Sequence, residues 1–588
     1  MKRFLQQIFS HTKKYSKRVY LIFVGGILVG ICTGAVAYIL RPLLDNLFIS
    51  KDEQMLYILP LIIVGIYLIK GVGRYMQSYY SAFVATKVAN DLRSLLLERI
   101  IYLDLHSFQR LNSGQILTKI IADVDKIKLF LQNNMASSVR SVVTAICLIG
   151  VVIYNSPKLA FLALFIIPAM AYPLRIFAKK MKRYSKESQE KIATVLHKMN
   201  EVLNNFEIIK SFRTEQLESQ KFKQKTKEYF DNHIQAEKTN AKVGPIMEII
   251  SALVLALTII VGGGDVLSGN ITPGAFFSFI TALLMLYEPL KSLSLDYNRL
   301  QESIASYERL GQTLELVPSI TDGDRELSEP IKSIAFEDVH LAYEQTQALR
   351  GVDVKIKQGD IVALIGASGG GKSSFINLIS RFYDTSRGAV LLNGSDIKSF
   401  TQTSLRAKIS LVSQRTFIFN DTIQNNIIYG HSLDYARLQD AIKQAHCDFV
   451  QTLPSKEQTL LEEFGTNLSG GQRQRIAIAR AIYKQPDIYI FDEATSALDN
   501  NSEQYIKQSI KELAKDKIVF LVAHKMSLID FANKVLIFES GKIVASDNYN
   551  NIVNSPAFAE LTHTKRDDEY RTNNHANANH PNQRANTI

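Results

Sequence analysis

The chain has 588 residues, 46 % of them hydrophobic, and a net charge of +12 at neutral pH. It is longer than the ~100–200 residues of one domain, so at least two folding units are expected. The excess charge does not indicate nucleic acid, because Lys and Arg border apolar segments instead of forming a basic face interleaved with aromatics. The three cysteines, Cys32, Cys147 and Cys447, lie far apart and support neither a metal set nor a disulfide framework.

Apolar residues crowd into the first half. A bilayer core about 30 Å thick requires roughly 20 mostly apolar residues per helix. Six segments qualify: Val19–Leu40, Met55–Tyr80, Met135–Tyr154, Leu159–Phe177, Val243–Val261 and Gly274–Leu293. The first is too long for a signal-peptide core and has no small-residue cleavage site, so it reads as a retained span. Pro168 and Pro173 fall inside the fourth, where membrane helices tolerate proline.

Orientation follows from where the cations collect. Lys2, Arg3, Lys13, Lys14, Lys17 and Arg18 precede the first span, and Arg175–Lys242 holds sixteen Lys or Arg. These regions are expected in the cytoplasm. Asn155–Lys158 has one Lys and Gly262–Pro273 has no Lys or Arg, so both are expected on the other side. Six spans then return the second half, and both termini, to the cytoplasm. The long connections Ser81–Asn134 and Ala178–Lys242 contain little Pro or Gly and read as helical, with reversals near Leu111–Gly114 and Ser211–Thr214. About 25 residues beyond the bilayer would carry a helix roughly 37 Å into the cytoplasm.

From about Ile331 the pattern becomes short β-rich runs separated by Gly and Asp, as in a parallel α/β sheet. Ile361–Gly366 is a buried strand and Lys372 onwards a helix. Between them Gly366, Ala367, Ser368, Gly369, Gly370, Gly371, Lys372, Ser373 and Ser374 satisfy the G-x-x-x-x-G-K-[ST] spacing. Glycines let backbone N–H groups approach phosphate oxygens, and the helix N-terminus adds a favourable dipole. Lys372 is expected to reach the β- and γ-phosphates and Ser373 to hold Mg²⁺. "DIYIFDEATSALD", Asp487–Asp499, is a buried strand ending in two carboxylates. Asp492 suits the Mg²⁺ environment, and Glu493 suits orientation or deprotonation of the water that attacks the γ-phosphate. His524 in "LVAHK" follows another apolar strand and is expected at the γ-phosphate.

In "LSGGQRQRIAIARA", a helix is expected near Gln472, so that Ser469, Gly470 and Gly471 form a second phosphate-binding surface. One nucleotide is not easily gripped by both surfaces of one subunit. This run resembles the signature of the ATP-binding cassette family. The order phosphate loop, Gln414, LSGGQ, Asp-Glu, SALD, His matches that family throughout. Six spans followed by one cassette resemble an exporter half-transporter, and the likeness covers essentially the whole chain.

The resemblance implies a multi-domain membrane protein. A cytoplasmic segment (1–18) leads into a six-helix all-α transmembrane domain (19–315) with long cytoplasmic extensions. A linker (316–333) joins it to an α/β P-loop ATP-binding domain (334–561), and an Asn- and His-rich tail (562–588) reads as a solvated disordered end. It further implies that Tyr343 stacks on adenine, that Gln414 senses Mg²⁺ and the membrane half, and that Ser469–Gln472 and Asp499 act across a homodimer that sandwiches two ATP molecules. Exporters of this kind often carry Gly-Glu-Arg-Gly before the signature. Here Phe464 stands between Glu463 and Gly465.

Charges inside spans are costly and therefore informative. Lys70 and Arg74 lie in the second span, Arg140 begins the third, Glu248 lies in the fifth, and Glu288 and Lys291 lie in the sixth. Together they suggest a cavity of basic character suited to an anionic headgroup, with oily walls for acyl chains. The segments around Lys70, Arg140 and Lys291 resemble those of bacterial lipid A exporters, although Glu288 stands where those carry a basic residue. The favoured substrate is therefore a lipid A core or a related anionic glycolipid. A multidrug exporter would use the same engine with a more neutral cavity, and an ATP-gated regulatory protein would not need an intact Glu493.

Overall fold

The computed structural model describes residues 2–111, 113–344, 346–493, 500–522 and 529–559. The chain divides into two compact units: Met1–Ile101 with Asn112–Leu316, and Tyr102–Leu111 with Val317–Ile588.

The first unit is helical. Its long helices are Ser16–Pro42, Glu53–Ile101, Met135–Asn155, Pro157–Asn204, Glu215–Ala241, Val243–Leu267 and Tyr287–Leu314, with the shorter Pro273–Met285 before the last. At 1.5 Å per residue the 49-residue helix Glu53–Ile101 is about 73 Å long, over twice the thickness of a bilayer core. Among the described residues, five helical stretches are long and apolar enough to cross a membrane: Ser16–Ile49, Glu53–Ile101, Ile116–Asn155, Glu215–Leu267 and Pro273–Leu314. The expected fourth span, Leu159–Phe177, falls in the helix Pro157–Asn204, but most of its side chains lie outside the described residues.

Two connections use the same start signal. Ser156 accepts from the Leu159 N–H ahead of Pro157, and Thr272 accepts from the Ala275 N–H ahead of Pro273. Each hydroxyl satisfies an otherwise unpaired helix donor, and the proline fills a first-turn position that needs no N–H. The reversal expected near Ser211–Thr214 lies between the helices Phe206–Ser211 and Glu215–Ala241, with Arg213 at a φ of 54°. The other expected reversal is broader: a separate short helix, Leu105–Gln109, sits between Ile101 and Gly114 because Asp104 caps it through the Ser107 N–H at 2.8 Å.

In lipid, apolar side chains gain little by leaving their surroundings for one another, so helices associate through close approach and hydrogen bonds. A Cβ on Gly25 would lie 2.6 Å from the Gly73 carbonyl oxygen, and one on Gly34 would lie 2.6 Å from the Cys147 Cβ. The helix Ser16–Pro42 therefore touches one neighbour backbone to backbone and another backbone to side chain. The Gln77 amide donates to the Ala136 carbonyl at 2.6 Å. Near the Gly262–Pro273 connection, Asp45 accepts from the Gly274 N–H at 2.8 Å and from the Thr272 hydroxyl at 2.6 Å. A carboxylate is favourable at a helix N-terminus. Large side chains such as Leu61 (72 %) and Leu68 (66 %) are exposed on the second helix, as a lipid-facing surface requires.

The second unit is built on two sheets. One is antiparallel, with order β2-β1-β4-β5, from β1 (Ser333–Tyr343), β2 (Thr346–Lys357), β4 (Arg387–Leu392) and β5 (Ser395–Asp396). The other has order β10-β9-β3-β8-β7-β6, from β3 (Ile361–Gly366), β6 (Ile409–Val412), β7 (Ile488–Asp492), β8 (Ile518–Val522), β9 (Lys534–Glu539) and β10 (Lys542–Asp547). Strands β9, β3, β8, β7 and β6 run parallel, and β10 closes the edge antiparallel to β9. Sequence reasoning anticipates the parallel sheet but not the antiparallel one. Every residue of β3 and β8 is buried, which accounts for their unbroken apolar sequences. Phe375, on the helix after the phosphate loop, stacks on Phe336 of the antiparallel sheet at 4.1 Å and meets Phe538 of β9 edge-on at 5.4 Å.

Replacing Gly25 by Val forces the first two helices apart against a backbone oxygen. Overpacking of this kind costs about 1–3 kcal/mol. The variant is expected to unfold at a lower temperature in detergent than the parent, and an unchanged midpoint would refute the close approach.

Candidate functional site

Parallel strands place their carboxyl ends on one sheet edge, and strand register fixes which residues gather there. Val522 of β8 pairs with Leu364 of β3 on one side and with Asp492 of β7 on the other. Val412 of β6 pairs with Phe491. The phosphate loop from Gly366, the carboxylates Asp492 and Glu493, and Gln414 therefore all leave the same edge within two residues of a paired position. His524 would follow two residues beyond Val522, but His524 and Asp499 lie outside the described residues.

The loop is shaped by its glycines. Gly366 has φ 144°, and a Cβ there would fall 2.1 Å from the Phe538 carbonyl oxygen, so this position admits no side chain. Gly371 (φ 111°) is the residue before the helix Lys372–Ile379. The outer part, Ala367, Ser368 and Gly369, is exposed. The inner part is tied down: the Gly541 N–H donates to the Gly370 carbonyl at 3.0 Å, and the Arg350 N–H to that of Gly541 at 2.8 Å. Lys372 is buried to 6 % exposure and donates to the Gly366 and Ala367 carbonyls, both at 2.9 Å. Ser373 is exposed beside it and Ser374 half-buried. A cation, a helix N-terminus and bare backbone come together in this loop, which is the chemistry of a polyphosphate cradle.

The Gln414 amide donates to Glu493 at 2.5 Å. Glu493 sits in the left-handed region, with φ 52°, and its N–H donates to the Val522 carbonyl at 3.2 Å. Ser373, Gln414 and Asp492 all offer oxygen donors, which suits Mg²⁺.

At the signature, the helix runs Gly470–Lys484, two residues earlier than expected. The reason is a reciprocal cap: the Ser469 hydroxyl accepts from the Gln472 N–H at 3.2 Å while the Gln472 side chain accepts from the Ser469 N–H at 2.9 Å. Ser469 is exposed, with Gly470, Gly471 and Gln472 half-buried, so this helix end faces outward. Phe464, in the segment that departs from the usual Gly-Glu-Arg-Gly, adopts φ 58° and is 61 % exposed.

Tyr343 is half-buried at the end of β1, and its ring meets that of Tyr383 edge-on at 4.8 Å. Tyr383 donates in turn to the Gln109 side chain at 2.5 Å. Neither Tyr383 nor Gln109 was singled out by sequence. Their one local signal is a Tyr shortly after the phosphate-loop helix.

In the first unit, Lys70, Arg74 and Arg140 lie close enough that Lys70 feels the charge of both arginines and Arg140 that of Arg74. Arg140 donates to the Gln77 side-chain Oε1 at 3.4 Å, and the Lys70 ammonium lies 5.7 Å from the Tyr67 ring centre. Glu288 and Lys291 are exposed on the helix Tyr287–Leu314, with the Lys291 ammonium 5.7 Å from the Tyr287 ring centre. Glu248 is exposed on Val243–Leu267.

These features can be set beside known proteins. Residues 19–290 match the family described as ABC transporter transmembrane region, and residues 349–496 the family described as ABC transporter. The chain is 35 % identical to an ATP-dependent lipid A-core flippase of Syntrophus aciditrophicus over 92 % of its own length and 90 % of the relative's. It is also 35 % identical to one of Desulfotalea psychrophila, over 94 % and 97 %. Among solved structures, a bacterial Atm1-family ABC exporter with ATP bound superposes with a TM-score of 0.79 at 25 % identity, covering 94 % of this chain and 98 % of that one.

Gly366→Ala combines a left-handed backbone with an overlap on the Phe538 oxygen, and strain of this kind costs about 1–3 kcal/mol before any clash is counted. The variant is expected to lose the thermal stabilisation that the parent gains from ATP, and a normal shift would overturn the geometry assigned to the loop.

Proposed function

This chain belongs to the ATP-binding cassette transporters and hydrolyses ATP to drive transport, and from that premise we propose that it flips a lipid A core or related anionic glycolipid from the inner to the outer leaflet of a bacterial inner membrane. The observation that carries the substrate assignment is the cationic group Lys70, Arg74 and Arg140 within apolar spans. Lys70 and Arg140 are half-buried and Arg74 exposed, and a cation within a membrane span is retained where it meets an anion or a wet cavity. Phosphorylated sugars supply that anion and their acyl chains match the exposed apolar helices. The curated relatives named lipid A-core flippases support the same reading. Glu288 and Lys291 would line the cavity from the last span. Both termini and the cassette would face the cytoplasm, in keeping with the cations that flank the spans.

In the cassette, backbone N–H groups from Gly366 to Gly371 and the Lys372 ammonium would hold the phosphates, with Tyr343 against the base. Mg²⁺, when bound, neutralises charge between the phosphates, and Ser373, Gln414 and Asp492 would hold it. Glu493 would take the proton of the attacking water, and Gln414, already bonded to it, would link the base to the presence of the γ-phosphate. His524 would contact the γ-phosphate.

The signature helix end of one copy would close on the phosphate loop of a second, with Asp499 at the joint, which makes the working unit a homodimer. The boundaries 1–18, 19–315, 316–333, 334–561 and 562–588 then separate the N-terminal segment, spans, linker, cassette and tail. Closure of the shared sites would move the long helices and alternate the cavity's access.

Two measurements test this. In liposomes, Glu493→Gln should bind ATP normally and hydrolyse it more than about a hundredfold more slowly, consistent with loss of a general base; normal turnover sinks that assignment. Lys70→Ala combined with Arg140→Ala should abolish stimulation of ATPase by lipid A while leaving unstimulated turnover within about twofold, because neither residue belongs to the cassette. Retained stimulation rules out the basic headgroup site.

A further inference from the structure

The segment Tyr102–Leu111 lies between two membrane-domain helices in sequence, yet it packs within the cassette unit. Asp104 anchors it. Its carboxylate accepts from the Ser107 N–H and hydroxyl at 2.8 and 2.9 Å and from the Ser319 N–H and hydroxyl at 2.6 and 3.0 Å. Burial alone would raise this carboxyl's pKa, but those four donors outweigh burial and hold it below the usual carboxylate range. Leu105 packs into the same apolar cluster as Tyr343. The segment is thus fixed at its start, and its far end is where Gln109 and Arg110 stand.

Two links run from that far end to the neighbourhood of Tyr343. One is an ion pair at 3.5 Å between Arg110 and Glu344, with side chains 58 % and 69 % exposed. Exposed pairs contribute little and are screened by salt. The other runs through Tyr383, which is 7 % exposed. Its hydroxyl donates to Gln109, its ring stands edge-on to Tyr343 with an interplanar angle of 82°, and the His106 ring meets it at 5.5 Å. Burial first, then Tyr343 and Asp104, push its ionisation up, so the hydroxyl keeps the proton that it donates. An edge-on partner restricts the plane that a ring can adopt, and a buried hydroxyl that loses its acceptor is left unsatisfied. The buried link is therefore the one able to transmit position.

We propose that Tyr383 is a positioning residue for the nucleotide base: it sets the plane of Tyr343 and ties that plane to Gln109, so that base stacking and the placement of Tyr102–Leu111 form one coupled equilibrium. This rests on the reading that Tyr343 stacks on adenine and adds to it the route by which the base is felt in the connection between two membrane helices. Coupling of this kind is reciprocal. A shift of the segment loosens the grip on the base as much as an unstacked base loosens the segment.

The test uses the full-length protein in liposomes and compares ATP with inorganic tripolyphosphate, a competitor that has no base. Tyr383→Phe keeps the ring and removes only the hydroxyl. Gln109→Ala removes its acceptor. Each is expected to raise KM for ATP several-fold, leave the inhibition constant of tripolyphosphate within about twofold, and show no further rise in the double variant. General damage to the site would weaken both ligands together, and two independent effects would multiply; either result overturns the proposal, as does an unchanged KM in Gln109→Ala.

Tyr343→Trp separates the two readings, because the chain contains no other tryptophan. Quenching of its emission by ATP but not by tripolyphosphate supports base stacking. Absence of that quenching refutes the platform and the coupling with it. Quenching that persists while Gln109→Ala leaves its ATP dependence unaltered refutes the coupling alone.

Discussion

Strand register is the constraint on which the catalytic half depends. The parallel register that sets Leu364 opposite Val522, and Val522 opposite Asp492, admits no gradual slippage: a shift of one residue turns every side chain to the opposite face. The apolar runs on β3 and β8, buried on both faces, hold that register through packing instead of through any catalytic group. Phe375 extends the same core under the phosphate loop by stacking between the two sheets. The loop can be thin and exposed because the platform beneath it is rigid. Gly366 pressed against the Phe538 carbonyl marks where the platform ends and the site begins.

The membrane half solves a different problem. Its surroundings are as oily as its side chains, so burial alone cannot order its helices. Close approach at Gly25 brings two backbones together and at Gly34 brings a backbone against a side chain. The Gln77 amide supplies a buried directional bond where no water competes, and the Asp45 carboxylate caps a helix start at the connection. Lys70, Arg74 and Arg140 run against that economy. Lys70 and Arg140 are half-buried and Arg74 is exposed, and in the proposed headgroup site an anionic guest would offset the repulsion among them. A headgroup site built this way would favour occupancy without requiring a close steric fit.

Much of the site is legible in sequence because its chemistry is local. Phosphate binding needs glycine, lysine and hydroxyl groups at fixed spacing before a helix, and Gly366–Ser373 displays it. The Ser469–Gln472 cap is equally local, although the two glycines that follow disguise the helix start by their poor propensity. Contacts between distant residues leave no such trace. Tyr383 and Gln109 are 274 positions apart, and Asp45 and Gly274 229 apart. The same holds for the antiparallel sheet, whose strands read individually as members of one α/β layer. The segment Tyr102–Leu111 is hidden for another reason: its helical composition fits either unit, and only packing assigns it.

Glu493 has a backbone angle of φ 52°, a conformation that glycine and asparagine adopt far more readily than glutamate. The proposed general-base role and the backbone conformation therefore ask for different residues at this position. Selection for thermal robustness alone would drift toward residues content with a left-handed turn and would discard the carboxylate on the way. On the proposed role of Glu493 as general base, a Gly or Asn substituted there would exchange turnover for a more relaxed backbone, and the stability gained would measure the strain that this conformation holds.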